Sequence, residues 1–425
     1  MRSARVMIVD DSAVIRRLIA DTLADHPQVE IVGQAANGRL ALDALARTAV
    51  DVIVLDIEMP ELDGVSTVRE LRRLGYRMPV IMFSTLTERG ARITFEALAA
   101  GATDYVAKPA HSQSIDDSRS LLRAQLLPRV LSLAGVLLPP PPTVRLAAAI
   151  GPAATPAPPP RRARWTSSST ARRLRAVATP VATQPAPTPA AATDVRPPVR
   201  RLATVRPQLL VIGTSTGGPE ALNVLLPMLP AALPVPLLIV QHMPPIFTQL
   251  LAERLDRITP LAVREAAGGE LVQPGTAYIA QGDFHLEIEP AGAGFTTKLT
   301  QAPPENFCRP AVDVLFRSAA KHFGAAVLSV VLTGMGSDGR LGAREIVAAG
   351  GQVLAQDQAS SVVWGMPGAV AQDGLADEIL PLPEVAPAIL SRVNGAVGPP
   401  SVSTSVSTSG AHALAPRAAG SRETR

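Results

Sequence analysis

The stretch LLVIGTSTGGPEAL, Leu209 to Leu222, runs an apolar segment of strand length into a loop of Gly, Ser and Thr and then into a helical pattern. A buried strand feeding a tight turn and then a helix is the repeating unit of a parallel α/β sheet. Within it, Gly213-Thr214-Ser215-Thr216-Gly217 satisfies G-x-S-x-G, the sharp strand-to-helix turn that lifts a serine hydroxyl above a sheet. Glycines let the backbone turn tightly and bring amides toward a substrate oxygen, while the helix N-terminus favours a developing negative charge. The same physics serves phosphate. The loop nevertheless lacks the G-x-G-x-x-G spacing of a dinucleotide site and the Gly-Lys-Ser/Thr ending of a P-loop.

A serine nucleophile needs a base, and the base needs an orienting carboxylate. LLIVQHMPP places His242 at the carboxyl end of another strand, on the rim where Ser215 should lie. His285 and His322 are weaker candidates for that role, whereas His26 and His111 fall in the N-terminal region and His412 in the C-terminal tail. AVLSVVLTGMGSDGR sets Asp338 in a glycine-rich loop after a further buried strand, with Asp313 of RPAVD as the alternative carboxylate. The order Ser, His, Asp differs from the Ser, Asp, His of α/β-hydrolases, so the G-x-S-x-G match does not make this chain one of them.

Ahead of this region, residues 4 to 125 also alternate strand-like and helix-like stretches. RVMIVDD reads as a buried strand, SAVIRRLIADTLAD as an amphipathic helix and DVIVLDIEMP as a strand, followed by a helix through VSTVRELRRLG, the strand PVIMFST, the helix TERGARITFEALAAG and a short strand ending DYVAKP. That alternation predicts a second doubly wound parallel sheet, again with its site at the carboxyl ends of the strands. Asp10 and Asp11 close the first strand, Asp56 and Ser84 close two others, and Lys108 follows the last. Three carboxylates converging on one rim repel each other unless a hard cation shares them, and Mg²⁺ with oxygen ligands suits the cluster. One carboxylate then remains to accept a phosphoryl group, which the lysine and the hydroxyl could neutralise and hydrogen-bond.

The whole chain frames these two units. Its 425 residues, 47% hydrophobic, are enough for two ordinary cores. The net charge of +4 conceals an uneven distribution: Arg129 to Arg206 hold twelve Arg and one acid, Asp194, leaving the remainder near −7. That segment is rich in Pro and Ala, with LLPPPP, TPAPPPRRARW and TQPAPTPAAATDVRPP, and reads as a disordered linker. With Trp165 its only aromatic and no helix-turn-helix pattern nearby, it is not expected to bind nucleic acid. The expected organisation is 1–127 for the first domain, 128–206 for the linker, 207–395 for the second domain and 396–425 for a disordered tail. A single cysteine, Cys308, excludes an internal disulfide framework and fits a reducing compartment, and neither an export signal nor a membrane span is expected.

The motifs VDDS, VLDIEMPELDG, MFST and DYVAKP resemble the two-component receiver domain. The resemblance implies Asp56 as phospho-acceptor, Asp10 and Asp11 as the acidic pair for Mg²⁺, and Glu58 as a metal ligand through its backbone carbonyl. It further implies Ser84, Tyr105 and Lys108 as the switch residues. The set IGTSTGG, QHMP, CRPAVD, LTGMGSDG and VWGMPG, covering about Gln208 to Val393, resembles the catalytic domain of the CheB family of chemotaxis protein-glutamate methylesterases. By that resemblance Ser215 is the nucleophile, His242 the general base and then acid, and Asp338 the residue that fixes the imidazole, with Thr216 and Met335 supporting the oxyanion. The implied reaction is hydrolysis of glutamate γ-methyl esters on chemoreceptors, releasing methanol, together with deamidation of particular receptor glutamines. No cofactor is implied in the catalytic domain. A cytoplasmic enzyme is implied, phosphorylated by the chemotaxis histidine kinase and inhibited by its own receiver until then. A flexible linker of about 80 residues spans roughly 50 Å and would weaken that inhibition by diluting the receiver. The rival expectation is a regulatory binding module that retains these residues without turnover.

Overall fold

The structure is a computed structural model that describes residues 2–108, 115–136 and 205–395. The first unit runs β1 (Ala4–Val9), α1 (Ala13–Ala24), β2 (Val29–Ala35), α2 (Gly38–Leu45), β3 (Val52–Asp56), α3 (Gly64–Arg73), β4 (Val80–Ser84), α4 (Glu88–Ala99), β5 (Asp104–Ala107) and α5 (Ile115–Leu133). Its sheet has the order β2-β1-β3-β4-β5, all parallel, so the chain changes direction between β1 and β3 and opens a crevice at their carboxyl ends. Four helices start on side-chain caps: Ser12, Asn37, Asp63 and Thr87 each accept a hydrogen bond from a backbone N–H of the first turn. β2 and α2 lie outside the sequence reading. β2 is an edge strand with mostly half-buried residues, so it carries neither a continuous apolar run nor a clean alternation.

The expected end of this domain at 127 is corrected by α5, which continues through Pro128 to Leu133. Pro128 removes one helix N–H, but Leu126, Val130 and Leu131 stay on the buried side, with Ala134 and Val136 completing the packing beyond the helix. Arg129, counted with the linker on composition, therefore belongs to the folded unit and pairs with Asp104 at 3.0 Å. The rest of the expected linker up to 204, and the tail from 396, lie outside the described residues.

The second unit runs β6 (Leu209–Thr214), α6 (Gly218–Leu225), β7 (Leu237–Gln241), α7 (Phe247–Ile258), β8 (Ala262–Glu265), β9 (Thr276–Ile279), β10 (His285–Ala291), β11 (Gly294–Thr300), α8 (Val312–Phe323), β12 (Val327–Val331), α9 (Arg340–Ala348), β13 (Gln352–Gln356), α10 (Met366–Gln372), β14 (Glu378–Leu380) and α11 (Leu382–Val393). A seven-stranded parallel sheet has the order β14-β13-β12-β6-β7-β9-β8, and β10 with β11 forms an antiparallel hairpin that the sequence reading did not anticipate. β6 is buried along its whole length because both faces are covered: Leu210 and Ile212 pack into the layer of α6 and α11, Leu209 and Val211 into that of α8 and α9. The strand order reverses at β6, which places the crevice between β7 and β12.

The two units pack against each other through α4 and β5 on one side and α6 and α7 on the other. Tyr105 stacks on Phe247 with ring centroids 4.6 Å apart and 7° between planes, and Phe95 lies 6.0 Å from the same ring. Apolar packing is therefore continuous from one unit into the other.

Candidate functional site

β6 and β7 pair in parallel with Thr214 opposite Gln241, so the next residue on each, Ser215 and His242, emerges side by side at the carboxyl edge. The His242 N–H donates to the Thr214 carbonyl, and the Gln241 side-chain amide donates to the Ser215 carbonyl at 3.0 Å, tying the two turns together. Ser215 in turn donates its backbone N–H to Thr333 at the end of β12. Two glycines make this convergence possible. Gly217 holds φ at +78° at the cap of α6, and a side chain there would also strike Val362. At Gly334, a Cβ would run into Met366 and into Ser215 itself. Ser215 is 8% exposed.

His242 Nε2 lies 2.7 Å from Asp338 Oδ2. Asp338 also accepts from the backbone amides of Val312 at 2.7 Å, Asp313 at 3.0 Å and Gly339 at 2.9 Å, and from the Asn306 side-chain amide at 2.9 Å. Burial works against its charge, but the hydrogen bond and charge of His242 and the amides of Val312 and Asp313 outweigh it and hold the carboxyl below the usual carboxylate range. Asp313 is the opposite case: burial and the neighbouring Asp338 charge push it up, and its oxygens accept from Gly342 and Asn306. The imidazole therefore faces the carboxylate built to stay ionised. Its other nitrogen, Nδ1, lies 3.5 Å from Cys308 Sγ. Burial disfavours an imidazolium at His242, yet Cys308 and Asp338 outweigh it and raise its pKa above the ordinary histidine value.

The other predicted residues distribute as follows. The hydroxyl of Thr216 donates to Asp104 of the first unit at 2.8 Å, and Met335 lies half-buried in the loop after β12. His285 is buried, its ring between the Pro303 carbonyl and the Ala311 N–H, and His322 lies 6.0 Å from the Phe295 ring, so neither joins the site. His111 and His412 lie outside the described residues. Asn306 and Cys308 were missed as site residues. Cys308 lies within the quoted motif CRPAVD, with Asn306 two residues before it, but spacing alone cannot show that this segment folds back over β7 and β12.

In the first unit, Asp10, Asp11 and Asp56 each offer a carboxylate oxygen within 4.8 Å of the others. Lys108 Nζ lies 2.7 Å from Asp56 and 3.2 Å from Asp10. Burial pushes the Asp56 carboxyl up to about 6, with Asp10 adding to the shift and Lys108 opposing it. Glu58 is exposed, its carboxylate 3.5 Å from Arg89. The Ser84 hydroxyl is engaged with α4, through Thr94 at 2.7 Å and the Gly90 carbonyl at 3.3 Å.

The model of the CheB methylesterase family matches residues 210–389, and that of the response regulator receiver domain matches residues 6–118. The chain is 50% identical over 394 residues to a protein-glutamate methylesterase/protein-glutamine glutaminase of Nocardioides sp. (strain ATCC BAA-499 / JS614), covering 92% of this chain and 96% of that one. It is 42% identical to the protein of the same name from Trichodesmium erythraeum, covering 92% and 100%. The CheB methylesterase catalytic domain of Thermotoga maritima, a crystal structure, is 43% identical over 44% of this chain and 99% of that one, with a TM-score of 0.43.

Proposed function

The chain belongs to the protein-glutamate methylesterase/protein-glutamine glutaminase family, and from that premise we propose how its own residues carry the reaction. It is a phosphorylation-regulated chemotaxis methylesterase and glutaminase. One observation carries the assignment of roles: strand register sets Ser215 beside a histidine whose Nε2 is 2.7 Å from a buried carboxylate.

Asp338 holds the Nε2 proton of His242, leaving Nδ1 as the basic nitrogen. Ser215 Oγ attacks the γ-carbonyl carbon of the methylated glutamate while its proton passes to Nδ1. Backbone amides of the turn and the N-terminal end of α6 stabilise the tetrahedral oxyanion, with Thr216 and Met335 the supporting residues. The C–O bond to the methoxy group then breaks, and methanol departs with the proton from Nδ1, leaving a glutamyl ester on Ser215. Water gives a proton to Nδ1 and attacks that ester, releasing the glutamate carboxylate and restoring the serine. A glutamine follows the same path with ammonia as leaving group.

Phosphorylation acts on Asp56, with Lys108 as cationic partner of the new phosphoryl oxygens and Ser84 and Tyr105 as the switch pair. The oxygen donor set of Asp10, Asp11 and Asp56 fits a hard divalent cation. Mg²⁺, held by these residues and the Glu58 carbonyl, would supply charge neutralisation at the phosphoryl group. In the observed packing, Asp104 at the start of β5 accepts a hydrogen bond from Thr216 next to Ser215, so phosphorylation relieves an inhibition by moving the receiver away. The substrates are methyl-accepting chemoreceptors, the phosphodonor is the chemotaxis histidine kinase, and the cytoplasm is the compartment that both imply. Among the described residues no helix is long and apolar enough to cross a membrane.

The test is methanol release from methylated receptor membranes by wild type and Ser215→Ala, with and without a small-molecule phosphodonor and Mg²⁺. Loss in the variant with stimulation of wild type is expected; unchanged release by the variant overturns the reading.

A further inference from the structure

Phe307 is fully exposed, at 104%, and is the only aromatic among the strongly exposed large apolar side chains of the described residues. It sits at the tip of a two-residue loop closed by reciprocal hydrogen bonds: Glu305 donates to the Cys308 carbonyl at 3.1 Å and Cys308 to the Glu305 carbonyl at 2.8 Å. Both central residues are left-handed, Asn306 at φ +50° and Phe307 at φ +63°. Such a turn ordinarily takes Asn-Gly, and a bulky residue at positive φ is a backbone outlier. Phe307 thus occupies a position that glycine would fill with less strain, and gains no packing in return.

The loop's neighbours give that arrangement a purpose. Asn306 bridges Asp338 and Asp313, and Cys308 approaches His242 Nδ1, so the residues on either side of Phe307 are both anchored in the catalytic site. Arg317 clamps Glu305 at the loop's base. The backbone that carries the aromatic ring is therefore fixed beside the site, while the ring itself projects into solvent. The strained turn delivers Asn306 and Cys308 to the site, but those contacts do not call for an aromatic at its second central position; a bulky apolar side chain kept there in solvent, where glycine would serve, points to binding.

We propose that Phe307 is the docking anchor for the receptor segment that carries the target glutamate, packing on apolar side chains of that segment as the esterified side chain enters toward Ser215. This rests on the reading of the site given above. The ester is a small group on a large protein partner, and Ser215, 8% exposed, is too enclosed to meet that partner's surface directly. An aromatic on a backbone anchored beside the site supplies contact area at low entropic cost, because it has only two side-chain torsions to fix.

The experiment uses the full chain with phosphodonor and Mg²⁺ acting on methylated receptor membranes. Phe307→Gly is expected to raise KM on the order of tenfold with kcat within about twofold. Its melting temperature should rise, because glycine relieves the left-handed strain. Phe307→Tyr should restore KM. An unchanged KM, or a raised KM accompanied by a lowered melting temperature, overturns the proposal. Co-sedimentation of Ser215→Ala with the same membranes, with and without Phe307→Gly, reads docking without turnover. If wild type releases no methanol, the esterase reading falls, while docking still stands on weaker co-sedimentation of the double variant or falls on equal co-sedimentation.

Discussion

Oγ1 of Thr216 donates a 2.8 Å hydrogen bond to Oδ2 of Asp104, crossing from the catalytic domain to the receiver at the residue next to Ser215. The same carboxylate pairs with Arg129 at 3.0 Å, and its other oxygen accepts from the Tyr105 N–H at 2.8 Å. A single receiver side chain therefore links the turn that holds Ser215, α5 and Tyr105, whose ring stacks on Phe247.

Asp104→Asn should loosen the closed arrangement. Hydrogen bonds to charged groups contribute about 1.5–3 kcal/mol each, and about 1.4 kcal/mol is a tenfold change in equilibrium. We expect methanol release without phosphodonor to rise roughly tenfold, and the phosphodonor response to shrink correspondingly. Basal release equal to wild type would show that the contact does not restrain the turn.

Arg129 acts on the same equilibrium only through Asp104. Arg129→Ala should raise basal release by a smaller factor than Asp104→Asn, and the double variant should match Asp104→Asn alone within the error of a double-mutant cycle. Independent, multiplicative effects would place Arg129 outside the clasp.

Asn306 is a positioning residue, since it bridges Asp338 and Asp313 without facing the reacting atoms. Asn306→Ala removes one of the hydrogen bonds that hold Asp338 in place, so kcat should fall by about tenfold with little change in KM. Asp338→Asn should cost far more, about 10⁴-fold in kcat, by analogy with other serine triads. Steady-state kinetics on methylated receptors distinguishes the two.

The pH profile tests His242 directly. A general base acts only when deprotonated, so kcat/KM should climb as pH rises through a His242 pKa lifted above the ordinary value of about 6.5 by Cys308 and Asp338. Removing either support destabilises the imidazolium and lowers that pKa. The rising limb should therefore move to lower pH in Cys308→Ser, and also in Asp338→Asn if its residual activity is measurable. A limb that stays in place in Cys308→Ser would separate the thiol from the base.

Much of this arrangement was legible in the chain. Apolar runs ending in Asp10, Asp56, Ser215 and His242 declare both buried parallel strands and the rim where their polar residues collect, because strand ends and site coincide in such sheets. β2 was not legible, since an edge strand lacks the continuous apolar signal. Nor was the end of α5, where Pro128 and nearby arginines mimic a linker while Val130 and Leu131 face the core. The choice of Asp338 over Asp313 was also open in the sequence. It follows from backbone amides at Val312, Asp313 and Gly339 converging on one carboxylate.

By itself the sequence determined that there are two parallel-sheet domains, which residue types stand at their rims and what chemistry those types can perform. Those are properties of local periodicity and motif, written in short stretches of chain. Only the tertiary structure decided which carboxylate faces His242, that Asn306 meets that carboxylate and Cys308 the imidazole, that Phe307 between them stands strained and bare, and that Asp104 reaches across to Thr216. Each of these depends on residues far apart in the chain meeting through sheet register and domain packing, and such meetings leave no periodic trace in the sequence.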